Sequence, residues 1–221
     1  MILATALPTR SGAWVEQMAR PRQFEEAVVL EAAIQCFWSR GYEATSVQDL
    51  VASSGLAAAS LYNAFGDKRA IFRAALEHYV GTRLGERMRR CDALPPEQAI
   101  RGFFEEIVQA SLHDSALKGC MLVNSALELA PHDAEVRALV AGVLGRLERF
   151  FLRHVKAGQA AGSFTRALPA KVLAGHLVGV LMGLRVLARV RPRRAVLDNV
   201  VAPALALLAG GTPRERTTPG A

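Results

Sequence analysis

The sequence predicts an all-α fold of about nine helices. Apolar residues recur at spacings of three and four along most of the chain, the period of an amphipathic helix. Val, Ile, Thr and Tyr nowhere alternate with polar residues as a half-buried strand requires. Gly and Pro punctuate the pattern at helix-length intervals. With 221 residues, 51% of them hydrophobic, the chain can build one large domain or two small ones around a sizeable core.

The first helix is expected over Gln23–Arg40, with Ala27, Leu30, Ile34 and Phe37 on one face and Gly41 as its stop. Thr45 or Ser46 caps a second helix reaching Ser53. Gly55 supplies a turn, and a third helix covers Ala58–Phe65 with Leu61 and Phe65 facing inward. Gly66-Asp67 breaks and recaps the chain, and a long helix runs from Lys68 toward Arg90. Pro95-Pro96 opens Glu97–His113. Further helices are expected over Gly119–Leu129, Asp133–Ala160, from Pro169 to Ala188, and over Arg193–Leu208. The tail "GGTPRERTTPGA" is rich in Gly, Pro and Thr and reads as disordered. Residues 1–17 fall outside the pattern. Met18 begins "MARPRQFEEAVVLEAA", which reads as a natural start, so the preceding residues are either a mis-set start or a floppy extension.

The formal net charge is +7, which suits a polyanionic partner. Its distribution is uneven. Met1–Phe65 holds four Arg against six acids, Gly66–Arg90 seven Lys and Arg against three, and Arg185–Arg194 five Arg and no acid. No apolar run free of Gly, Arg or His approaches a membrane span, and the N-terminus lacks a signal peptide's cationic flank, so a cytoplasmic, bacterial-type protein is expected. Cys36, Cys91 and Cys120 form no CxxC pair and no metal spacing, and read as reduced thiols. No metal and no cofactor is expected.

The segment "SVQDLVASSGLAAASLYNAF" has the bracing helix, glycine turn and second helix of a helix-turn-helix, with Leu50, Val51, Leu56, Leu61 and Phe65 as its small core. Periodicity alone leaves an ordinary helical hairpin equally open. The wider stretch "GYEATSVQDLVASSGLAAASLYNAFGDKRAIFRAALEHYV" resembles the N-terminal domain of the TetR (tetracycline-repressor-like) family of transcriptional regulators. The resemblance covers Phe24–Val80 and rests on Gly-Tyr followed by Ala-Thr-Ser-Val, on Ser-Gly-Leu, Ser-Leu-Tyr-x-x-Phe, Gly-x-Lys and the following Ile-Phe. It implies a flexible extension over 1–20, a DNA-binding domain over 21–67, an effector-binding and dimerisation domain over 68–209 with 68–92 as linking helix, and a flexible tail over 210–221.

The reading helix carries no Lys or Arg. Small side chains at Ala58 and Ala59 let a helix approach base edges, and their methyls suit thymine. Asn63 can bond adenine bidentately, and Ser60 tolerates any base. Tyr62 and Lys68 match the family's phosphate-contacting tyrosine and lysine. Thr45, Ser46 and Gln48 are candidates to hold the DNA backbone at a helix N-terminus. Arg20 and Arg22 are candidates for the minor groove, and Arg69 adds charge. Ala57, where the family usually has Ser or Thr, and Ala58, where Lys or Pro is frequent, depart from the pattern.

For the effector, the resemblance implies a cavity among long apolar helices. Phe103, Phe104, Ile107, Met121, Leu147, Phe151, Val178 and Met182 are the candidate lining, with Asn124 and Glu128 as polar contacts. Packed core is the alternative for each of them. A mostly apolar pocket suits a hydrophobic or aromatic effector. "KGCMLVNSALELAPHDAEV" looks like a C-terminal variant of one branch of the family, some of whose members respond to electrophiles or oxidants through a Cys at this place. Cys120 is therefore a candidate sensor, its thiol acidified by Lys118. The last two helices (169–209), with glycines at 175, 179 and 183, are expected to form a homodimer interface. Three readings follow: a repressor on a pseudopalindromic double-stranded operator released by a small effector, a redox-sensing version acting through Cys120, or a helical interaction module. No nucleophile elbow, P-loop or paired-carboxylate motif supports an enzyme.

Overall fold

The computed structural model describes residues 26–210. The expected extension, the start of the first helix, Arg20, Arg22 and the tail from residue 211 lie outside the described residues. Among the described residues all regular structure is helical. The elements are α1 (Glu26–Arg40), α2 (Val47–Ser54), α3 (Ala58–Phe65), α4 (Lys68–Tyr79), a π-helical stretch (Val80–Gly85), α5 (Glu86–Asp92), α6 (Pro96–Leu112), α7 (Met121–Glu128), α8 (Ala134–Ala161), α9 (Ala170–Val190) and α10 (Arg194–Leu208). Because α4, the π-helical stretch and α5 run on without a break, these make nine rods, as the periodicity predicts.

Local chemistry fixes the boundaries. Ser46 caps α2 through a reciprocal box: its Oγ accepts the Asp49 N–H at 3.1 Å, and the Asp49 carboxylate accepts the Ser46 N–H at 2.8 Å. Gly55 closes α2 in the left-handed region at φ 70°, where a side chain would be strained. Asp67 caps α4 by accepting the Ala70 N–H at 2.7 Å. The π-helical stretch was not expected; it interrupts what reads as a plain helix. Its wider turn rotates Val80, Arg83 and Leu84 out of the register of α4, and such turns concentrate at functional sites.

Two cores form. In the first, α1 crosses α4, and Leu50, Leu61, Met121, Leu122, Val136, Val140 and Val143 complete the packing. Phe37 and Tyr42 both meet the Phe72 ring edge-on, with centroids 5.1 Å apart. Val51, Leu56 and Phe65 sit half-buried at its margin, as the small core of the hairpin requires. The second core is built by α5, α6, the C-terminal half of α8, α9 and α10, around Phe103, Phe104, Phe150 and Phe151. Leu84 and Leu144 touch both cores.

One expectation is corrected. No membrane-length apolar run was expected, yet α9, with 21 residues, is long and apolar enough to cross a bilayer. The interruptions by Gly and His dilute its hydropathy too little to break the run. In this fold Leu173, Ala174, Leu177, Leu181, Leu184 and Ala188 bury one face of it in the second core.

The capping box yields a pH prediction. Hydrogen bonds from the Ser46 side chain and backbone, then from Arg40, hold the Asp49 carboxyl down at about 2. A depressed carboxylate stabilises the fold above its unfolded value of about 4 and loses that contribution as pH falls through the folded value. Asp49→Asn is expected to be less stable than wild type at neutral pH, with a shallower stability loss below about pH 4. Thermal unfolding across that pH range checks this.

Candidate DNA-contacting head and internal cavity

The α2–α3 hairpin is held by one inward column, with Leu50 and Leu61 each 1% exposed. This points the other side of α3 outward: Ala59, Ser60, Tyr62, Asn63 and Ala64 are exposed, while Ala58 is half-buried. Ala57 caps α3 without a side-chain hydrogen bond, so the amides of its first turn stay free of a side-chain acceptor, a ready partner for an anion. Gln48 is exposed on α2. Ser46 is exposed as well, but its hydroxyl is engaged with Asp49.

The cations near the head are more constrained than their sequence positions suggest. Lys68 is half-buried, with Nζ lying 4.4 Å from the Tyr42 ring centroid. Arg69 is tied to Asp133 at 2.7 Å, at the N-terminus of α8, and Arg73 pairs with Glu135. Arg69 therefore serves the joint with α8 rather than standing free for phosphate. Thr45 is a second correction. It is 1% exposed and its Oγ1 donates to Gly41 O at 2.6 Å, so it braces the α1–α2 turn and cannot reach a ligand.

The head is latched to the second half of the chain. The Glu128 carboxylate, at the end of α7, accepts the Tyr42 N–H at 2.9 Å and the Glu43 N–H at 3.2 Å. Gly41, at φ 85°, faces it; a Cβ there would lie 3.1 Å from the carboxylate oxygen. Glu128 thus acts on the α1–α2 turn and does not border the internal cavity.

A small cavity of about 40 Å³ lies where α4, the π-helical stretch, α5, α6, α7, α8 and α9 meet. Of the expected lining, Ile107, Leu147 and Met182 border it. Phe103, Phe104 and Phe151 are packed core with no exposed surface, because their rings fill the second core against one another. Met121 is buried in the first core, and Val178 is half-buried against the second. Asn124 donates to Lys118 O at 3.0 Å and accepts from Arg189 at 3.1 Å, outside the cavity.

The residues that sequence reasoning missed are the polar ones: Tyr79, Arg83, Arg87 and Arg185. A signal existed. Arg185 is the one Lys, Arg, Asp or Glu between Lys171 and Arg189 on a long apolar helix. The Tyr79 hydroxyl donates to Cys120 Sγ at 3.8 Å, and burial pushes its own ionisation far up. For Cys120, burial resists ionisation, but the Arg185 guanidinium and the Val123 N–H outweigh it, and the thiol ends below its ordinary value. Lys118, the expected acidifier, instead stacks on Trp38 at 4.6 Å and donates to Gln35.

Residues 29–75 match the family described as bacterial regulatory proteins, tetR family, and residues 96–202 match the tetracyclin repressor-like C-terminal domain. The chain belongs to the TetR family. It is 36% identical over 173 residues to the uncharacterized HTH-type transcriptional regulator YezE of Bacillus subtilis, covering 78% of this chain and 82% of that one. It is 28% identical over 172 residues to the transcriptional repressor ComR of Escherichia coli, covering 77% of this chain and 82% of ComR. Among solved structures it is similar to the TetR family transcriptional regulator CifR, a cysteine mutant complexed with 26-base-pair operator DNA. That match has a TM-score of 0.74 at 34% identity and covers 84% of this chain and 98% of that one. As a TetR-family member with both characteristic domains, the protein is a DNA-binding transcriptional regulator.

The latch is testable by itself. Glu128→Ala is expected to cost about 1 kcal/mol, a solvent-accessible pair of charge-assisted bonds. It should also speed hydrogen exchange at the Tyr42 and Glu43 amides, with the amides of α9 unchanged. Unaltered exchange at both amides would mean that the contact holds nothing in place.

Proposed function

We propose that the protein is a homodimeric repressor that reads a pseudopalindromic operator with α3 and is released by a small effector in the internal cavity. The observation that carries the reading is the outward face of α3, where Ser60, Tyr62 and Asn63 stand exposed between small alanines. On this reading the alanines permit close approach to the major groove. Asn63 and Ser60 read bases; Tyr62, Gln48 and the α3 N-terminus grip phosphate. CifR, similar over most of this chain, was solved on operator DNA, and ComR is a repressor; both support the assignment. Such a regulator works on the chromosome, in the cytoplasm.

The dimer surface is assigned to residues 169–209. Val172, Val186, Val190 and Leu207 are 54%, 44%, 73% and 38% exposed there. A Cβ built on Gly175, Gly179 or Gly183 would meet nothing within 4 Å, so a partner helix can approach closely along that edge. Pairing two copies through this face would cover the apolar surface that gives α9 its membrane-like composition. It would also set two α3 helices about one DNA turn apart.

On this reading, release acts through the cavity. The π-helical stretch forms one wall, and Cys120, which starts α7, forms another. An effector that widens the cavity shifts the Lys68–Asp92 rod and, through α7, the Glu128 latch. A few ångströms of change in head spacing costs contacts on both half-sites, and a differential affinity of a few kcal/mol empties the operator.

The acidified Cys120 thiol favours one second reading, a regulator released by oxidation or alkylation of that sulfur. Cys120→Ser would then keep DNA binding and lose release by oxidant or electrophile.

Selection from a random duplex library tests the main reading. An inverted repeat is expected. Asn63→Ala should relax its sequence preference by about 1–3 kcal/mol at one position per half-site. Tyr62→Phe should weaken binding evenly across sequences. Recovery of no motif by a dimeric protein would overturn the reading.

A further inference from the structure

We propose that the turn between α9 and α10 is a second DNA-contacting surface, whose arginines hold phosphates at the centre of the operator, between the two reading heads. The inference rests on the dimeric, operator-binding reading above and adds to it a contact made by the C-terminal half of the chain.

The head is short of positive charge. Over residues 26–67 it holds one cation, Arg40, against five acids, Glu26, Glu31, Glu43, Asp49 and Asp67. Arg40 is itself paired with Asp49. Just beyond, Lys68 is half-buried, and Arg69 and Arg73 are tied to Asp133 and Glu135. Much of a protein's affinity for DNA comes from cations that displace counterions from the phosphates. A head with this balance needs cations supplied from elsewhere in the dimer.

The fold brings a basic turn to the same end of the molecule. The α8 helix starts beside the head, where Asp133 meets Arg69 at 2.7 Å, and its 28 residues run about 42 Å away from it. At the far end the Thr165 N–H donates to Leu208 O at 2.7 Å, joining the segment before α9 to the end of α10. The α9 helix therefore comes back toward the head, and near its end Arg189 donates to Asn124 at 3.1 Å. Asn124 lies one turn of α7 before Glu128, which holds the amides of Tyr42 and Glu43. Arg191, Pro192 and Arg193 then join α9 to α10, and the Arg193 N–H donates to Arg191 O at 2.7 Å. Pro192 fixes its own φ, so this short turn is preset.

Its charge is open to a partner. Arg191 and Arg193 are exposed and form no ion pair among the described residues. The acids at the turn, Glu105 and Asp198, are both taken by Arg194, at 2.9 Å and 3.0 Å. Arg189 donates to a neutral amide rather than to a carboxylate. The turn ends the α9–α10 hairpin, which carries the assigned dimer face, so two-fold pairing sets both turns side by side between the heads. DNA that spans the heads passes beneath them. Guanidinium forks match phosphate oxygens, and such contacts hold the duplex without reading its sequence.

The test measures binding of the full-length protein to its selected duplex over a series of salt concentrations, for wild type and for the double variant Arg191→Gln/Arg193→Gln. The change removes two cations per copy, so the slope of log K against log salt is expected to become shallower by about two to four. Affinity at about 0.1 M salt should fall by about tenfold or more. The selected inverted repeat should stay the same, because phosphate contacts carry no sequence information. Arg191→Lys/Arg193→Lys should keep most of the wild-type slope, which separates charge from a folding defect. Ethylating phosphates between the half-sites should weaken wild type and leave the Gln variant unaffected. An unchanged slope, which would leave the grip to other cations, would overturn the proposal. So would central phosphates whose ethylation affects both proteins alike, or a Gln variant that sediments as a monomer and thereby assigns the turn to dimerisation. If no inverted repeat is selected, the same comparison is made on a random-sequence duplex. A shallower slope there would uphold the turn as a DNA contact and count against the operator reading alone, whereas failure to bind any duplex would overturn both.

Discussion

The continuous rod from Lys68 to Asp92 belongs to two hydrophobic cores at once, and the rest of the structure depends on that sharing. Its first half buries Ile71, Phe72, Ala75, Leu76 and Tyr79 among α1, α2, α3 and α7. Its second half places Cys91 and Met88 among α6, α8, α9 and α10. A helix transmits displacement along its axis because each turn is tied to the next by backbone hydrogen bonds. The two cores therefore cannot move independently. The π-helical stretch sits between them, and Leu84 within it touches both.

A second, polar connection runs alongside. The short α7 begins at the cavity with Cys120 and ends at the α1–α2 turn with Glu128. The ion pairs of Arg69 and Arg73 with the start of α8 clamp the same joint from its other side. Cavity and head are thus connected by two helices and a set of exposed charge contacts. Single exposed pairs contribute little to stability, but together they define which orientations of the head are available.

Much of the fold was legible in local chemistry. The Ser46 cap, the Gly55 turn and the inward Leu50 and Leu61 follow from spacing and residue type alone, because a capping box and a left-handed glycine are decided within a few residues. The outward face of α3 follows from the same column. What was not legible is tertiary. Glu128 reads as one more helix carboxylate until the fold brings it to amides more than eighty residues away. Thr45 reads as a cap or a phosphate ligand, yet a hydrogen bond to Gly41 O turns it inward. Phe103, Phe104 and Phe151 have the composition of a pocket, and only their mutual ring packing shows that they fill space rather than border it. The π-helical stretch leaves no trace in the apolar period. Arg185 did leave one, as a lone charge on an apolar helix, but its neutral partners come from α6 and the turn before α7.

On the proposed mechanism, occupying the cavity changes the spacing of the two reading heads. The most direct measurement is the distance between spin labels attached at Ala52, an exposed position on α2 away from the outward face of α3, across the proposed dimer. It would be taken once with selected operator DNA and once with a cavity ligand bound. Distance distributions displaced by a few ångströms are expected, with the displacement reduced when Glu128 is replaced by Ala. Superimposable distributions in the two states would contradict it.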